Sequence, residues 1–256
     1  MSLFDRIDVK TADQIALMRE AGRVVGVTLN LLREAAVPGI SLRALDTLAE
    51  ESIRSHGAVP SFLGYGRPPF PASICASVND VVVHGIPDDR VLQDGDLLSI
   101  DCGAILAGWH GDAAITVAVG TVDPKLLELS AVCEASLHAG IAAMVDGGRL
   151  SDIGAAVEAC IEAAGDYGIL EDYTGHGIGT SMHMDPQVPN YGDPGKGPRL
   201  KVGNVLAIEP MITAGSARTR VLDDDWSVAT ADGSWASHWE HTVAITAQGP
   251  QILTLA

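Results

Sequence analysis

Four acidic residues stand beside apolar, strand-like runs, where charged side chains are unexpected. Asp101 follows the run LLSI and Asp112 opens the next run, while Glu209 and Glu240 hold matching places in LKVGNVLAIE and EHTVAIT. A buried charge persists only when it is paired or bound to metal, and too few Lys and Arg residues lie nearby to pair with four carboxylates. Two divalent cations would balance four negative charges, as they do in two-metal catalytic sites. The four acids therefore predict a dinuclear metal centre.

Three histidines next to glycines are candidates to join that centre. His176 and His183 lie in YTGHGIGTSMHMDP, and His84 ends the apolar run VVVHGIP. A single histidine in such a place is usually an ordinary core or surface residue, but glycines let the backbone come close to a site. The chain contains no G-x-G-x-x-G loop, no H-E-x-x-H and no G-x-S-x-G, which excludes dinucleotide-binding, zincin and serine-hydrolase functions.

The acids recur because the chain repeats itself. Residues 92–101 (LQDGDLLSID) align without gaps with residues 200–209 (LKVGNVLAIE), with four identities in ten positions. Upstream, VPGISL corresponds to VDGGRLSDI, and downstream DAAITVAV corresponds to EHTVAIT. Three matches in one order predict a single domain over residues 1–256 with an internal duplication of about 11–120 and 121–256.

Local signals place two helices before each set of acids. We expect helices from a Thr11 cap to about Ala36, from a Ser41 cap to about Ser55, from an Asp123 cap onward, and from a Ser151 cap to about Ala164. Strands are expected near residues 73–78, 96–104 and 113–119. If Ala107 and Gly108 form a two-residue turn, Asp101 lies opposite Ala114 and shares a sheet face with Asp112. The order predicts an α+β fold of two αα-β halves around a shared antiparallel sheet.

Composition restricts the class of protein. The 256 residues are 47% apolar and carry a net charge of −17, which argues against binding to DNA or other nucleic acid. The start, MSLFDRIDVK, lacks the apolar stretch of a signal peptide, and no apolar run approaches the roughly 18 residues of a membrane-spanning helix, so we expect no membrane contact. The four cysteines form no C-x-x-C motif, which favours free thiols in a reducing cytoplasm.

Five blocks in order resemble the signatures of type I methionine aminopeptidases, which have the pita-bread fold. They are SICASVNDVVVHGIP, IDCGAILAGWHGDAA, TGHGIGTSMHMDPQVPNYG, LAIEPMI and WEHTVAIT. The resemblance implies removal of N-terminal methionine before a small second residue. It also implies two divalent ions (Co²⁺, Mn²⁺, Fe²⁺ or Zn²⁺) held by five ligands, of which Asp112 and Glu240 bridge. The implied ligands are Asp101, Asp112, His176, Glu209 and Glu240.

The same resemblance implies catalytic roles and a specificity pocket. A water between the ions would be the nucleophile, Glu209 its base, His183 a stabiliser of the oxyanion, and His84 a hydrogen-bond partner of the peptide beyond its first residue. The methionine slot would be formed by soft, apolar side chains. These are Tyr65, Phe70, Cys75, Met182 and Trp226. Phe70 and Met182 depart from the usual family pattern, which affects the shape of the pocket and not the chemistry.

The resemblance also implies partners, and two other functions remain open. The substrates would be N-terminal methionyl peptides and nascent chains, met through transient contact with the ribosome, and the protein would be a cytoplasmic monomer. An X-Pro aminopeptidase or prolidase-like enzyme would share all five ligands. An inactive pita-bread binding module is the alternative from another class, and such proteins usually lose ligands.

Overall fold

Four helices form where the capping residues and apolar stripes of the sequence coincide. The computed structural model describes residues 7–256, so the expectation about a signal peptide falls partly on residues 1–6, outside the described part. The hydroxyl of Thr11 accepts the N–H of Gln14, and the Gln14 side chain accepts the N–H of Thr11, which starts the first helix as predicted. The helices are α1 (Ala12–Ala35), α2 (Leu42–Ser55), α3 (Pro124–Ala143) and α4 (Leu150–Ala164).

The start of α4 differs from the prediction. Ser151 lies inside the helix, and Arg149 is the capping residue. The N–H of Arg149 donates to the Asp152 carboxylate at 2.7 Å, while the Ser151 hydroxyl accepts the N–H of Lys196 at 2.8 Å. Asp152 therefore satisfies the helix start, and Ser151 instead anchors the irregular segment that follows residue 188.

The strands are short except for one long hairpin. They are β1 (Val59–Pro60), β2 (Ile74–Val78), β3 (Val81–Val83), β4 (Leu97–Leu106), β5 (Trp109–Ala118), β6 (Gly168–Ile169), β7 (Gly175–Gly177), β8 (Met184–Val188), β9 (Val205–Ile208), β10 (Met211–Thr213), β11 (Thr219–Val221), β12 (Val228–Thr230), β13 (Ala236–His238), β14 (His241–Thr246) and β15 (Gly249–Ile252). They form four antiparallel sheets. The larger two have the orders β1-β4-β2, with β5 paired to β4, and β15-β14-β9-β7-β8.

The hairpin β4–β5 has the register that the sequence predicted. Ala107 and Gly108 both take positive φ angles, 51° and 82°, as a two-residue turn of the primed type requires. Asp101 pairs with Ala114 and Gly103 pairs with Asp112. The two acids are therefore diagonal neighbours on one sheet face.

The two larger sheets meet at the centre of the molecule, between β5 and the start of β14. The N–H of Glu240 donates to the Ala114 carbonyl at 2.9 Å, and the N–H of Ala114 donates to the Glu240 carbonyl at 3.3 Å. The main apolar core contains side chains from before and after residue 120, including Leu29, Ile100 and Ile208. Each helix pair precedes one of these sheets in the chain. The duplication and the single-domain organisation stay predictions.

Helix α3 is long and apolar enough to cross a membrane by length and composition alone. No such segment was expected from the sequence, because Lys125, Glu128 and Glu134 interrupt the Leu and Ala residues that make this helix apolar on average. Its residues Leu129, Cys133 and Leu137 are buried, and the helix packs against α4 and β13. One face of this helix therefore packs on the protein core.

Two glycines let α1 and β5 touch through their backbones. A Cβ at Gly111 would lie 2.7 Å from the Cα of Gly22, with no flexible side chain between them.

We predict that Gly111→Ala lowers the free energy of unfolding by about 2–3 kcal/mol, because the helix must move away from the strand. Calorimetric unfolding measures the change. Gly165→Ala is the matched control, since its Cβ would meet only the ring of Tyr167, and should unfold like the wild type. Unchanged stability in Gly111→Ala would show that α1 and β5 do not need this contact.

Candidate metal centre

The four acids predicted to bind metal converge where the larger sheets meet. Asp101 lies on β4 and Asp112 on β5, while Glu209 directly follows β9 and Glu240 directly precedes β14. Asp112 and Glu240 are 3% and 2% exposed. The Thr242 hydroxyl donates to the Asp112 carbonyl at 2.8 Å and accepts the Asp112 N–H at 3.0 Å. This pair of bonds fixes the backbone of the two sheets on either side of the acids.

These carboxylates have no cationic partner strong enough to offset their burial. Within residues 7–256, no Lys or Arg nitrogen lies within 4.0 Å of any of the four acids, and only His176 and His238 approach one of them. Oxygens of three acids are buried with no hydrogen-bond partner. They are Asp101 Oδ1, Asp112 Oδ1 and Glu240 Oε1. Such orphaned acceptors are costly unless a cation binds them.

The pKa values of the four acids are raised because the acids are buried without cationic partners. Burial raises the pKa of Asp101 to about 7. Burial first, and then the neighbouring carboxylates, raise the pKa of Asp112, Glu209 and Glu240 well above the usual range. Without metal the cluster therefore retains protons near neutral pH, and these are the protons that bound cations would displace.

His176 supplies a nitrogen at the same place. Its Nδ1 lies 2.9 Å from the Gly177 carbonyl, which can only accept, so Nδ1 carries the proton. Nε2 is then the lone-pair nitrogen, and it lies 3.5 Å from Glu209 Oε1. Burial lowers the pKa of His176 to about 4, so the imidazole is neutral at pH 7. A neutral imidazole oriented by a carbonyl is the usual form of a metal-binding histidine.

The donor set fits divalent cations. Ligand atoms of Asp112, His176 and Glu240 all lie within 4.8 Å of one another, close enough to share an ion after small adjustments. Several carboxylates with one imidazole suit Mn²⁺, Fe²⁺, Co²⁺ or Zn²⁺ and do not select among them. The residues present therefore fit the metal that the sequence predicts.

A cavity of about 270 Å³ is lined by all twelve residues that were predicted from the sequence as ligands, catalytic groups or pocket residues. Its lining consists of Tyr65, Phe70, Cys75, His84, Asp101, Asp112, His176, Met182, His183, Glu209, Trp226 and Glu240, together with Phe62. The acids lie on one wall and a buried apolar cluster on another. That cluster contains Phe62, Phe70, Cys75 and Met182, with Trp226 packed against it. The individual roles of these residues stay predictions.

The two remaining histidines stand at the edge of the cavity. His183 Nδ1 lies 2.6 Å from the Tyr65 hydroxyl, and its ring packs against that of His176 with centroids 4.3 Å apart. His84 adopts a φ of 58°, which is unusual for a residue other than glycine, and its ring meets the edges of Tyr173 and Trp226. Burial lowers the pKa of His84 to about 4, so its ring is neutral at pH 7.

Two residues of this region were not predicted from the sequence. Phe62 lies in an irregular segment whose sequence gives no sign of the cavity. His238 is 2% exposed, and its Nε2 lies 3.7 Å from Glu209 Oε2. Its position two residues before Glu240, the spacing of one strand face, was a usable signal.

Comparison with known proteins gives a consistent result. The model of metallopeptidase family M24 matches residues 16–247. Methionine aminopeptidase 1 of Mycobacterium tuberculosis (strain CDC 1551 / Oshkosh) is 56% identical over 252 residues, covering 96% of this chain and 94% of that protein. The crystal structure of methionine aminopeptidase from Thermotoga maritima is 40% identical with a TM-score of 0.95, over 98% of this chain and 100% of that one.

A more distant neighbour shares the fold alone. Prolidase from Pyrococcus furiosus is 22% identical with a TM-score of 0.77, over 97% of this chain and 65% of that one.

The raised pKa values give a prediction about stability without metal. An acid whose pKa is higher in the folded than in the unfolded protein contributes stability at low pH that is lost as pH rises through the folded value. For Asp101, whose folded pKa is about 7, the loss is on the order of 4 kcal/mol. Chelator-treated protein should therefore unfold at lower temperature at pH 8 than at pH 5.5, and added Mn²⁺ should raise the Tm more at pH 8.

The variant Asp101→Asn tests the cause of this loss. It should lose less stability on the alkaline side when metal-free, because it has no charge to bury. Glu171→Gln, which removes an exposed acid, should behave like the wild type. If the metal-free wild type gained stability between pH 5.5 and pH 8, the buried acids would not be the dominant titrating groups.

Proposed function

The chain belongs to metallopeptidase family M24, and we propose that it removes methionine from the N-terminus of peptides and nascent chains with the help of two divalent ions. The ions would be Co²⁺, Mn²⁺, Fe²⁺ or Zn²⁺, and the five predicted ligands would hold them. One observation carries the proposal: the carboxylates and His176 face the same cavity as an apolar slot suited to a thioether. Bound ions would acidify a water nucleophile and polarise the scissile carbonyl.

Glu209 is proposed to move the proton. Its side chain is 15% exposed, at the wall of the cavity, so a water and a peptide can reach it. The carboxylate accepts a proton from the attacking water and delivers it to the leaving amine of the second residue, as a general base and then a general acid. Bound cations would displace the proton that burial favours on this group, so its carboxylate would be ionised and able to accept a proton.

His183 is proposed to bind the carbonyl oxygen where negative charge develops. If the Tyr65 hydroxyl donates to Nδ1 across 2.6 Å, Nε2 carries the hydrogen of the neutral ring. That N–H is then a fixed donor for the oxyanion. His84, held by Tyr173 and Trp226, donates to the peptide beyond the first residue.

The slot is proposed to select methionine through shape and polarisable contacts. The rings of Phe70 and Trp226 meet edge to face with centroids 5.3 Å apart, and Phe62 meets Phe70 in the same way. Burial raises the pKa of Cys75, so its thiol stays neutral and offers a soft contact to sulfur. A small second residue is preferred, as in the family that the sequence resembles.

The remaining context is proposed from the same basis. The four cysteines are free, which agrees with a reducing cytoplasm. Substrates are methionyl peptides and nascent chains, and the enzyme works as a monomer with transient contact to the ribosome. An inactive binding module is not supported, because the chain keeps all five ligand types in one place.

Replacing the proposed base should abolish turnover with little change in fold. Glu209→Gln keeps the shape of the side chain but cannot take a proton, and we expect release of methionine from Met-Ala-Ser to fall by at least about 100-fold, in the range typical of general bases. His84→Ala should also be severely impaired. Amino-acid release is measured with Mn²⁺ or Co²⁺ added, and Glu171→Gln is the control. Near-normal turnover by Glu209→Gln would refute its role as base.

The choice of substrate separates methionine removal from X-Pro cleavage. Because the slot is deep and apolar, we expect kcat/KM for Met-Ala-Ser to exceed that for Ala-Pro-Ser by about 100-fold or more. Both peptides are assayed with the same enzyme and metal. Equal or faster cleavage before proline would favour the X-Pro alternative, since the metal chemistry is shared and only the specificity differs.

A further inference from the structure

We propose that His238 is a positioning residue, which donates a hydrogen bond from Nε2 to Glu209 Oε2 and holds that carboxylate in its working orientation. This inference rests on the proposed function of Glu209 as base. His238 belongs to neither the five predicted ligands nor the predicted slot. Within residues 7–256 its Nε2 is a buried nitrogen without a hydrogen-bond partner, and no contact of the fold explains this polar group.

The backbone of His238 is held on both edges of its strand. Its backbone N–H donates to the Thr116 hydroxyl at 3.1 Å, and its carbonyl accepts from the same hydroxyl at 2.9 Å. Thr116 also bonds the hydroxyls of Ser99 and Ser237. On the other side, β13 pairs with β10, placing His238 opposite Met211. An anchored backbone gives the side chain a defined starting position from which it can orient a neighbour.

The two oxygens of Glu209 face different histidines. Oε1 lies 3.5 Å from His176 Nε2, and Oε2 lies 3.7 Å from His238 Nε2. Glu209 is expected both to bind an ion and to accept a proton, and these tasks use different lone pairs. The oxygen beside His176, an expected ligand, is suited to the ion. The oxygen beside His238 is then the one whose direction needs control, and a movement of less than about 1 Å would complete a hydrogen bond.

His238 approaches Glu209 from outside the metal cavity. The cavity that all five predicted ligands line does not include His238 in its lining. His238 lines an adjoining cavity of about 210 Å³, which shares Asp101, Glu209, His84 and His183 with the metal cavity. Ligand atoms of Glu209, His238 and Glu240 lie within 4.8 Å of one another, so direct metal binding is the competing role. Of the four acids, only Glu209 comes within 4.0 Å of His238 Nε2, which favours the supporting role.

Two substitutions at this position separate a hydrogen bond from simple packing. His238→Gln keeps an N–H donor of similar reach, whereas His238→Leu keeps bulk without a donor. We expect kcat for Met-Ala-Ser to fall about 10- to 100-fold in His238→Leu with KM little changed, and to recover to within about threefold of the wild type in His238→Gln. Bound metal per chain should be the same in all three proteins. The control is His110→Gln, a buried histidine that already bonds Ser61.

Each other result would overturn the proposal. Loss of one bound ion in both His238 variants would make His238 a ligand. Equal kcat in His238→Leu and the wild type would remove any role, and equal losses in His238→Leu and His238→Gln at unchanged Tm would show that a donor is not what matters.

A readout independent of turnover separates this proposal from the proposed function. In the ¹⁵N-histidine-labelled, Zn²⁺-loaded protein, the His238 Nε2–H should give a downfield, slowly exchanging proton signal. His238→Gln identifies the signal by its loss, and Glu209→Gln should shift it. No such signal would overturn the hydrogen bond even in an active enzyme. Its presence in a wild type that releases no methionine would leave the hydrogen bond standing and refute the function.

Discussion

Burial of four carboxylates without a cationic side chain is the constraint on which the rest of this structure depends. Within residues 7–256 their oxygens find too few donors, and their pKa values are raised in consequence. Removing such charges from water costs several kcal/mol per group unless cations or protons compensate. The same burial keeps His176 neutral, so that its lone pair is available. A single physical condition therefore produces both an unstable metal-free cluster and a strong site for divalent ions.

The folded state tolerates the unfavourable burial of the four carboxylates because the centre of the molecule is held by backbone contacts and not by the acidic side chains. Ala114 and Glu240 exchange hydrogen bonds between the two larger sheets, and Thr242 bonds both backbone groups of Asp112. Gly22 and Gly111 bring α1 directly onto the strand that carries Asp112. These contacts are independent of protonation. The ligands can therefore be arranged before an ion arrives, and binding need not reorganise the backbone.

Local sequence was sufficient for part of this arrangement. The Ala107–Gly108 turn determines the register of β4 and β5, and with it the shared face of Asp101 and Asp112. The positions of Glu209 and Glu240 followed from the repeat. Phe62 could not be found in the same way, because it joins the region through contacts distant in the chain, whereas His238 stands only two residues before Glu240. The start of α4 was wrong by a short shift, since Asp152 and not Ser151 captures the free N–H at the helix start.

The position of Glu209 between two histidines connects stability with chemistry. A carboxylate that only bound an ion could be packed as tightly as Asp112, yet Glu209 keeps 15% of its side chain exposed. That exposure lets water reach the carboxylate. It also permits the side chain to rotate, which would disturb the orientation of the carboxylate toward the reacting atoms. An oriented donor on the oxygen away from His176 restricts the rotation without closing the access. A buried imidazole with a free nitrogen meets this need at little cost in solvation, since it is neutral: burial lowers the pKa of His238 to about 3.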